Sequence, residues 1–184
     1  MKRFVALSLV TLSAIAASAQ IPPPAETWGE PVEGVQLRLA LSTTGLPPTP
    51  PGELPVFEVQ IRNRGSSAVT VNPDMIDCAD IEIDGVWYTQ VCANTGSSRP
   101  VDIAPGSRSD VMRMRPNDAY VMFEMHAKPA PRAGSHSVRV RNAANSVYTV
   151  RADKKAGFVQ KWLKLDSNRI TIDIPASTTA QIKP

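Results

Sequence analysis

Met112, Met114, Met122, Met125 and His126 fall within 15 residues of one another. Thioether and imidazole donors together suit copper, so the cluster could form a periplasmic copper-binding site. The same methionines have a plainer use. Met112 and Met114 alternate with Arg113 and Arg115, so in a strand they make the inward face, which has no other apolar residue to fill the core. The arginines suggest different chemistry. Arg113, Arg115, Arg139 and Arg141 alternate outward on two strands, and if those strands pair the four guanidiniums merge into a basic binding patch for phosphates or acidic glycans. The alternative is a solvated sheet face, partly neutralised across the strands by Glu58, Glu82 or Asp173.

Catalytic patterns are missing from the sequence. There is no G-x-S-x-G, no H-E-x-x-H and no Gly-rich phosphate loop. A nucleophile would have to find its base in His126 or His136, and His136 follows Gly134 at a strand start, where a turn or surface role is expected. The carboxylates are scattered and nominate no acid/base couple, so no enzymatic activity and no cofactor are expected. Trp28, Trp87 and Trp162 could stack on sugars, but each sits beside core-facing residues, where a tryptophan usually packs. Without aromatic residues interleaved among the arginines, nucleic acid is not an expected partner.

The elements that would position these groups read almost entirely as strands. Val35, Leu37, Leu39 and Leu41 alternate with Gln36, Arg38 and Ser42, and Phe57, Val59 and Ile61 with Glu58, Gln60 and Arg62, both with the period of a half-buried strand. Between them, Leu46 to Pro55 carries five prolines in ten residues and must be a loop. Ala68 to Asn72, Asp110 to Arg115, the run after Gly134 and Ile170 to Ile174 read as further strands, and Val147 to Arg151 continues or returns the one before it. Tyr120 to Met125 fits a strand or a helical turn, and residues 158–165 fit either period. Asp84-Gly85 inside Ile81-Glu82-Ile83-Asp84-Gly85-Val86-Trp87-Tyr88 is a hairpin signal that places Ile83 opposite Val86. Extending that register puts Cys78 opposite Val91, one residue short of Cys92. The two cysteines are expected to form one structural disulfide that clips this hairpin through a bulge or a longer loop. Their spacing matches neither a redox pair nor a zinc site.

At the N-terminus, Met1-Lys2-Arg3, an apolar run from Phe4 to Ala17, and Ala17-Ser18-Ala19 follow the order of a cleavable signal peptide over residues 1–19. Residues 20–27 form a proline-rich spacer, 28–174 a single domain, and 175–184 a tail expected to be disordered. No later apolar stretch is long enough for a membrane span. Removing the leader leaves 18 basic against 17 acidic side chains, so the basic pI belongs mostly to the precursor. Residues 20–104 carry 4 Lys/Arg and 11 Asp/Glu, and residues 105–184 carry 14 and 6, a segregation that internal complementarity would also explain.

Short strands with turn signals roughly every ten residues predict an all-β, antiparallel sandwich. The sequence resembles the immunoglobulin-like domains of exported bacterial proteins of unknown function. WGEPVEGVQLRLAL at 28–41 is similar to their opening strand and IEIDGVWY at 81–88 to their central hairpin. GSHSVRV at 134–140 resembles a late strand, and WLKLDSNRITIDI at 162–174 the closing strand with its Ser-Asn entry. The cysteine pair and residues 142–161, an insertion before the last strand, depart from the pattern. The resemblance implies an immunoglobulin-like β-sandwich and carries no chemistry. The expectation is an exported, periplasmic or extracellular, non-enzymatic binding or accessory module that contacts another protein or a cell-envelope component, its oligomeric state left open. One alternative is a proteinase inhibitor presenting the proline-rich loop, since prolines lower the entropy lost on binding. The other is the copper carrier.

Overall fold

The computed structural model describes residues 26–43, 46–89, 98–116, 131–143, 146–153 and 157–176. The expected leader, most of the spacer, Tyr120 to Met125 and the tail beyond Ala176 lie outside the described residues. Within them the chain is all-β and every ladder is antiparallel.

β1 (Val35–Leu41) pairs with β2 (Phe57–Asn63) along its whole length, from Val35 opposite Asn63 to Leu41 opposite Phe57. The period-two pattern is the cause, because it places Val35, Leu37 and Leu39 beside Phe57, Val59 and Ile61 on one buried face. The face ends before the strand does, since Leu41 is exposed. β7 (Met112–Met114) completes this sheet on the far side of β2. A second sheet runs β10 (Gly157–Trp162), β9 (Val147–Asp153), β3 (Val69–Val71) and β6 (Val101–Ile103). A third runs β11 (Ile170–Ile174), β8 (Gly134–Arg141), β4 (Asp80–Ile83) and β5 (Val86–Tyr88). Residues 157–162, ambiguous by period, are a strand because β9 supplies a ladder partner from Gly157 opposite Asp153 to Trp162 opposite Tyr148.

The central hairpin has its predicted register, Ile83 opposite Val86, with Asp84 at φ 48° and Gly85 at φ 87°. Two consecutive left-handed residues make the tight turn whose twist matches the flanking strands. The register does not extend to Cys78. The ladder ends at Ile81 opposite Tyr88, and Cys78 closes a 3-10 turn, Pro73–Cys78, that Pro73 starts at a position where a missing N–H costs nothing. Cys92 lies outside the described residues.

All three sheets face one hydrophobic cluster, to which Phe57, Ile61, Ile81, Met114, Leu165 and Ile172 contribute fully buried side chains. Burying each is worth about 1.5–3 kcal/mol. Where two sheets meet, their ladders stop and strand ends would be left with unpaired peptide groups. Three asparagines fill these junctions. Asn63, at the end of β2, donates to the carbonyls of Ser67 (2.8 Å) and Ile103 (2.9 Å) and accepts from the Gly65 N–H, joining the first sheet to the second. Asn142, just after β8, accepts from the Leu165 N–H (2.6 Å) and donates to the Leu163 carbonyl (3.0 Å), joining the third to the second. Asn168 accepts from the Leu39 N–H (2.8 Å) and donates to the Leu39 carbonyl (3.0 Å), joining the third to the first. Gly29 packs against the same closing segment, where a Cβ would sit 1.9 Å from the Asp166 carbonyl oxygen.

Replacing Asn142 with alanine strands the Leu165 N–H and the Leu163 carbonyl in a buried position, so Asn142→Ala is expected to lower unfolding free energy by about 3 kcal/mol in urea titration. Asn142→Asp should be no better, because a carboxylate cannot donate to Leu163; stability within about 0.5 kcal/mol of the parent for both variants would show that the junction contributes little.

Candidate functional site

The four arginines nominated from sequence do not form one patch. Arg113 lies on β7, which pairs with β2, whereas Arg139 and Arg141 lie on β8, which pairs with β4 and β11. No ladder joins β7 to β8 among the described residues, so the strand pairing that the patch needed is not made. Arg113 stands directly opposite Glu58, and Arg115 lines a concavity of about 310 Å³ beside the proline-rich loop. That loop is held by Leu54, buried in the core, and by a hydrogen bond from the Gly52 N–H to the Pro175 carbonyl (3.0 Å). Met114 is fully buried and Met112 packs against the core, as the inward face of β7 requires. Met122, Met125 and His126 lie outside the described residues.

Arg139 and Arg141 belong to a charge lattice on the third sheet. Both guanidiniums stack on Trp87, with Cζ 5.1 Å and 4.1 Å from the ring centroid. Arg141 grips Asp166 bidentately (2.6 and 2.9 Å), and Arg139 reaches the same carboxylate at 3.5 Å. Below them Glu82, only 2% exposed, accepts from Arg139 (2.5 Å) and from Arg169 (2.5 Å). Burial pushes the Glu82 carboxyl up, but hydrogen bonds from Arg169 and Arg139 outweigh it and hold the group below its ordinary value. Bonding to Arg141 lowers Asp166, and burial opposes it. Each charge in the lattice has its complement in place, so this surface is a structural brace.

His136, placed by β8, clamps the hairpin turn. Its Nδ1 is 2.6 Å from Asp84 Oδ2 and its Nε2 is 2.6 Å from the Arg132 carbonyl, while Asp84 Oδ1 accepts the Ser137 N–H. Both ring nitrogens face acceptors, which only the imidazolium satisfies. The Asp84 bond accordingly raises the His136 pKa; desolvation opposes it, and the Arg132 carbonyl and the Asp84 and Asp173 charges add to it.

A different set of arginines lines a concavity of about 470 Å³. Arg62 on β2, Arg64 in the turn after it and Arg108 from the turn before β7 converge there beside Trp28. A backbone bridge between Arg62 and Arg108 brings the two turns together. The Arg62 guanidinium lies 4.3 Å from the Trp28 centroid and donates to Gln36 (2.8 Å). Burial first, then repulsion from Arg64, lowers its pKa, with Glu26 opposing. None of these three arginines was nominated from sequence. Arg62 had been counted only as an outward strand residue, and the bridge to Arg108 is a long-range pairing that leaves no local pattern.

The outer face of the β9 and β10 pair carries Tyr148, Val150 and Trp162, with Gln160 opposite Val150. Tyr148 and Trp162 sit directly opposite each other with ring centroids 4.7 Å apart in an edge-on arrangement. Trp162 is 42% exposed and Val150, on the same face, 45%. Of the three tryptophans, Trp28 and Trp87 lie under guanidiniums and only Trp162 is open, so no coplanar exposed pair exists for a sugar. Comparison with protein-family models, curated proteins and solved structures finds no match for the chain.

Two outcomes follow from these charges. Glu82→Gln is expected to cost about 2 kcal/mol in chemical denaturation, less than for a fully buried pair because Arg139 and Arg169 retain contact with water; an unchanged midpoint would deny the brace its role. The raised His136 pKa means its contribution is complete below its ordinary value of 6.5 and is lost as pH rises through the folded-state value. Thermal melts should therefore show a Tm that falls as pH rises above 6.5, and His136→Ala should flatten that slope, whereas an equal slope in the variant would assign it elsewhere.

Proposed function

We propose that the chain is an exported, non-enzymatic binding module of immunoglobulin-like β-sandwich architecture that contacts another protein of the envelope or exterior through the outer face of the β9 and β10 pair. The observation that carries this is the aromatic pair of half-buried Tyr148 and exposed Trp162, with exposed Val150 beside it on the same face. Such side chains supply large, rigid contact area at protein interfaces and cost free energy when left in water. β10 is also the terminal strand of its sheet, without a ladder partner on its outer side among the described residues, so a partner can add contacts along that edge.

The architecture is supported by the blocks that resemble immunoglobulin-like domains, which coincide with β1, β4 with β5, β8, and β11. Export is supported by the charged, apolar and small-residue order of the first 19 residues. A disulfide between Cys78 and Cys92 suits that compartment, and no cysteine is free among the described residues.

Protein recovered from the envelope of expressing cells should begin at Gln20 and resist thiol alkylation until reduced. Crosslinking in that fraction should yield a discrete adduct with the parent. Trp162→Ser should lose it, while Val86→Ser, exposed on a different sheet, should keep it. Equal adducts from parent and Trp162→Ser, an unprocessed or alkylatable chain, or turnover of a substrate by the purified domain would each overturn the reading.

A further inference from the structure

We infer that the concavity beside Trp28 is a receptor site for the carboxylate of an acidic peptide segment, and that in this structure the chain's own Glu26 stands in for that ligand. The inference rests on the reading of the chain as a protein-binding module and identifies a second contact surface, separate from the β9 and β10 face. Arg38 and Arg108 pair with the Glu26 carboxylate, Arg62 is coupled to it electrostatically, and Arg64 lines the same concavity. Arg64 makes no ion pair among the described residues, and its charge adds to the larger effect of burial in lowering the Arg62 pKa. The site thus carries an excess of positive charge in a concave setting, where it attracts anions most strongly.

Glu82 shows how this fold holds a structural carboxylate: fully enclosed, with guanidinium nitrogens at 2.5 Å on two sides. Glu26 is held quite differently. It lies 3.4 Å from Arg108 and 3.7 Å from Arg38, its side chain is 46% exposed, and Arg108 is more exposed still. Exposed pairs of this kind contribute little, so an incoming carboxylate can displace Glu26. Arg62 is already oriented by its stacking on Trp28 and its bond to Gln36, which removes much of the ordering entropy that a flexible arginine would lose on binding. The carboxylate seen in the site belongs to a peptide side chain, and this favours an acidic peptide over a free phosphate. A tethered Glu26 also competes with that peptide and sets a threshold for binding.

Fluorescence anisotropy with a fluorescein-labelled hexaglutamate peptide at low ionic strength tests the inference on the mature protein. Glu26→Gln should bind the peptide about threefold more tightly than the parent, by removing the competitor. Adding Arg64→Ser and Arg108→Ser, both at exposed positions where folding is not at risk, should weaken binding at least about tenfold relative to Glu26→Gln alone. Inorganic phosphate at matched ionic strength should not displace the peptide. Trp162→Ser should leave the affinity unchanged, so failure of the β9 and β10 reading and failure of this one give different results. Equal affinity for parent and Glu26→Gln, affinity retained without Arg64 and Arg108, or displacement by phosphate would overturn the proposal.

Discussion

Three antiparallel sheets can share one core only if the backbone groups at their borders are satisfied, and in this chain that demand falls on asparagine side chains. An amide both donates and accepts, so a single asparagine can extend a ladder across a gap that the backbone itself does not bridge. Asn63 is fully buried and Asn142 nearly so, which would be costly for a primary amide without partners. Their environments repay that cost in full: Asn142 reaches Leu163, Leu165, Ala143 and Ser146, and Asn63 reaches Ser67, Ile103 and Gly65. The hydrophobic cluster holds the layers together without specifying their borders, and the asparagines specify the borders.

Charge does comparable work on the outside of the third sheet. Trp87 offers a flat face to two arginines, and the carboxylates of Glu82 and Asp166 tie those arginines to the closing segment through Arg169 and the 166–168 stretch. A lattice in which cations and anions alternate at hydrogen-bonding distance has little affinity to spare for an outside ion. The loosely held cluster around Glu26 is its opposite, and the contrast separates brace from receptor within one molecule.

Strand identity was largely legible in the sequence because period-two alternation and turn residues act locally. The hairpin register at Asp84-Gly85, the strands at 35–41, 57–63 and 170–174, and the inward set of Met112 and Met114 all follow from such signals. Sheet membership was not legible. Whether β7 joins β2 or β8 depends on long-range pairing, and that choice dispersed the four nominated arginines while gathering Arg62, Arg64 and Arg108, which looked like unrelated surface and turn residues. The hairpin register does not reach Cys78 because Pro73 starts a 3-10 turn, Pro73–Cys78, that ends just before β4. Exposed Trp162 reads in sequence like any core aromatic, since alternation does not say which of two faces meets the core.

The Asn168 junction also bears on the order of events in folding. Its partner Leu39 lies 129 residues earlier in the chain, and Ser167 forms a parallel bridge to Leu37 over a similar span. The first strand therefore cannot close its border with the third sheet until nearly the whole polypeptide is available. Contacts of such long sequence separation are slow to form, because loop closure must precede any gain. Local hairpins can form early, but the border between the first and third sheets locks only when the last strand arrives.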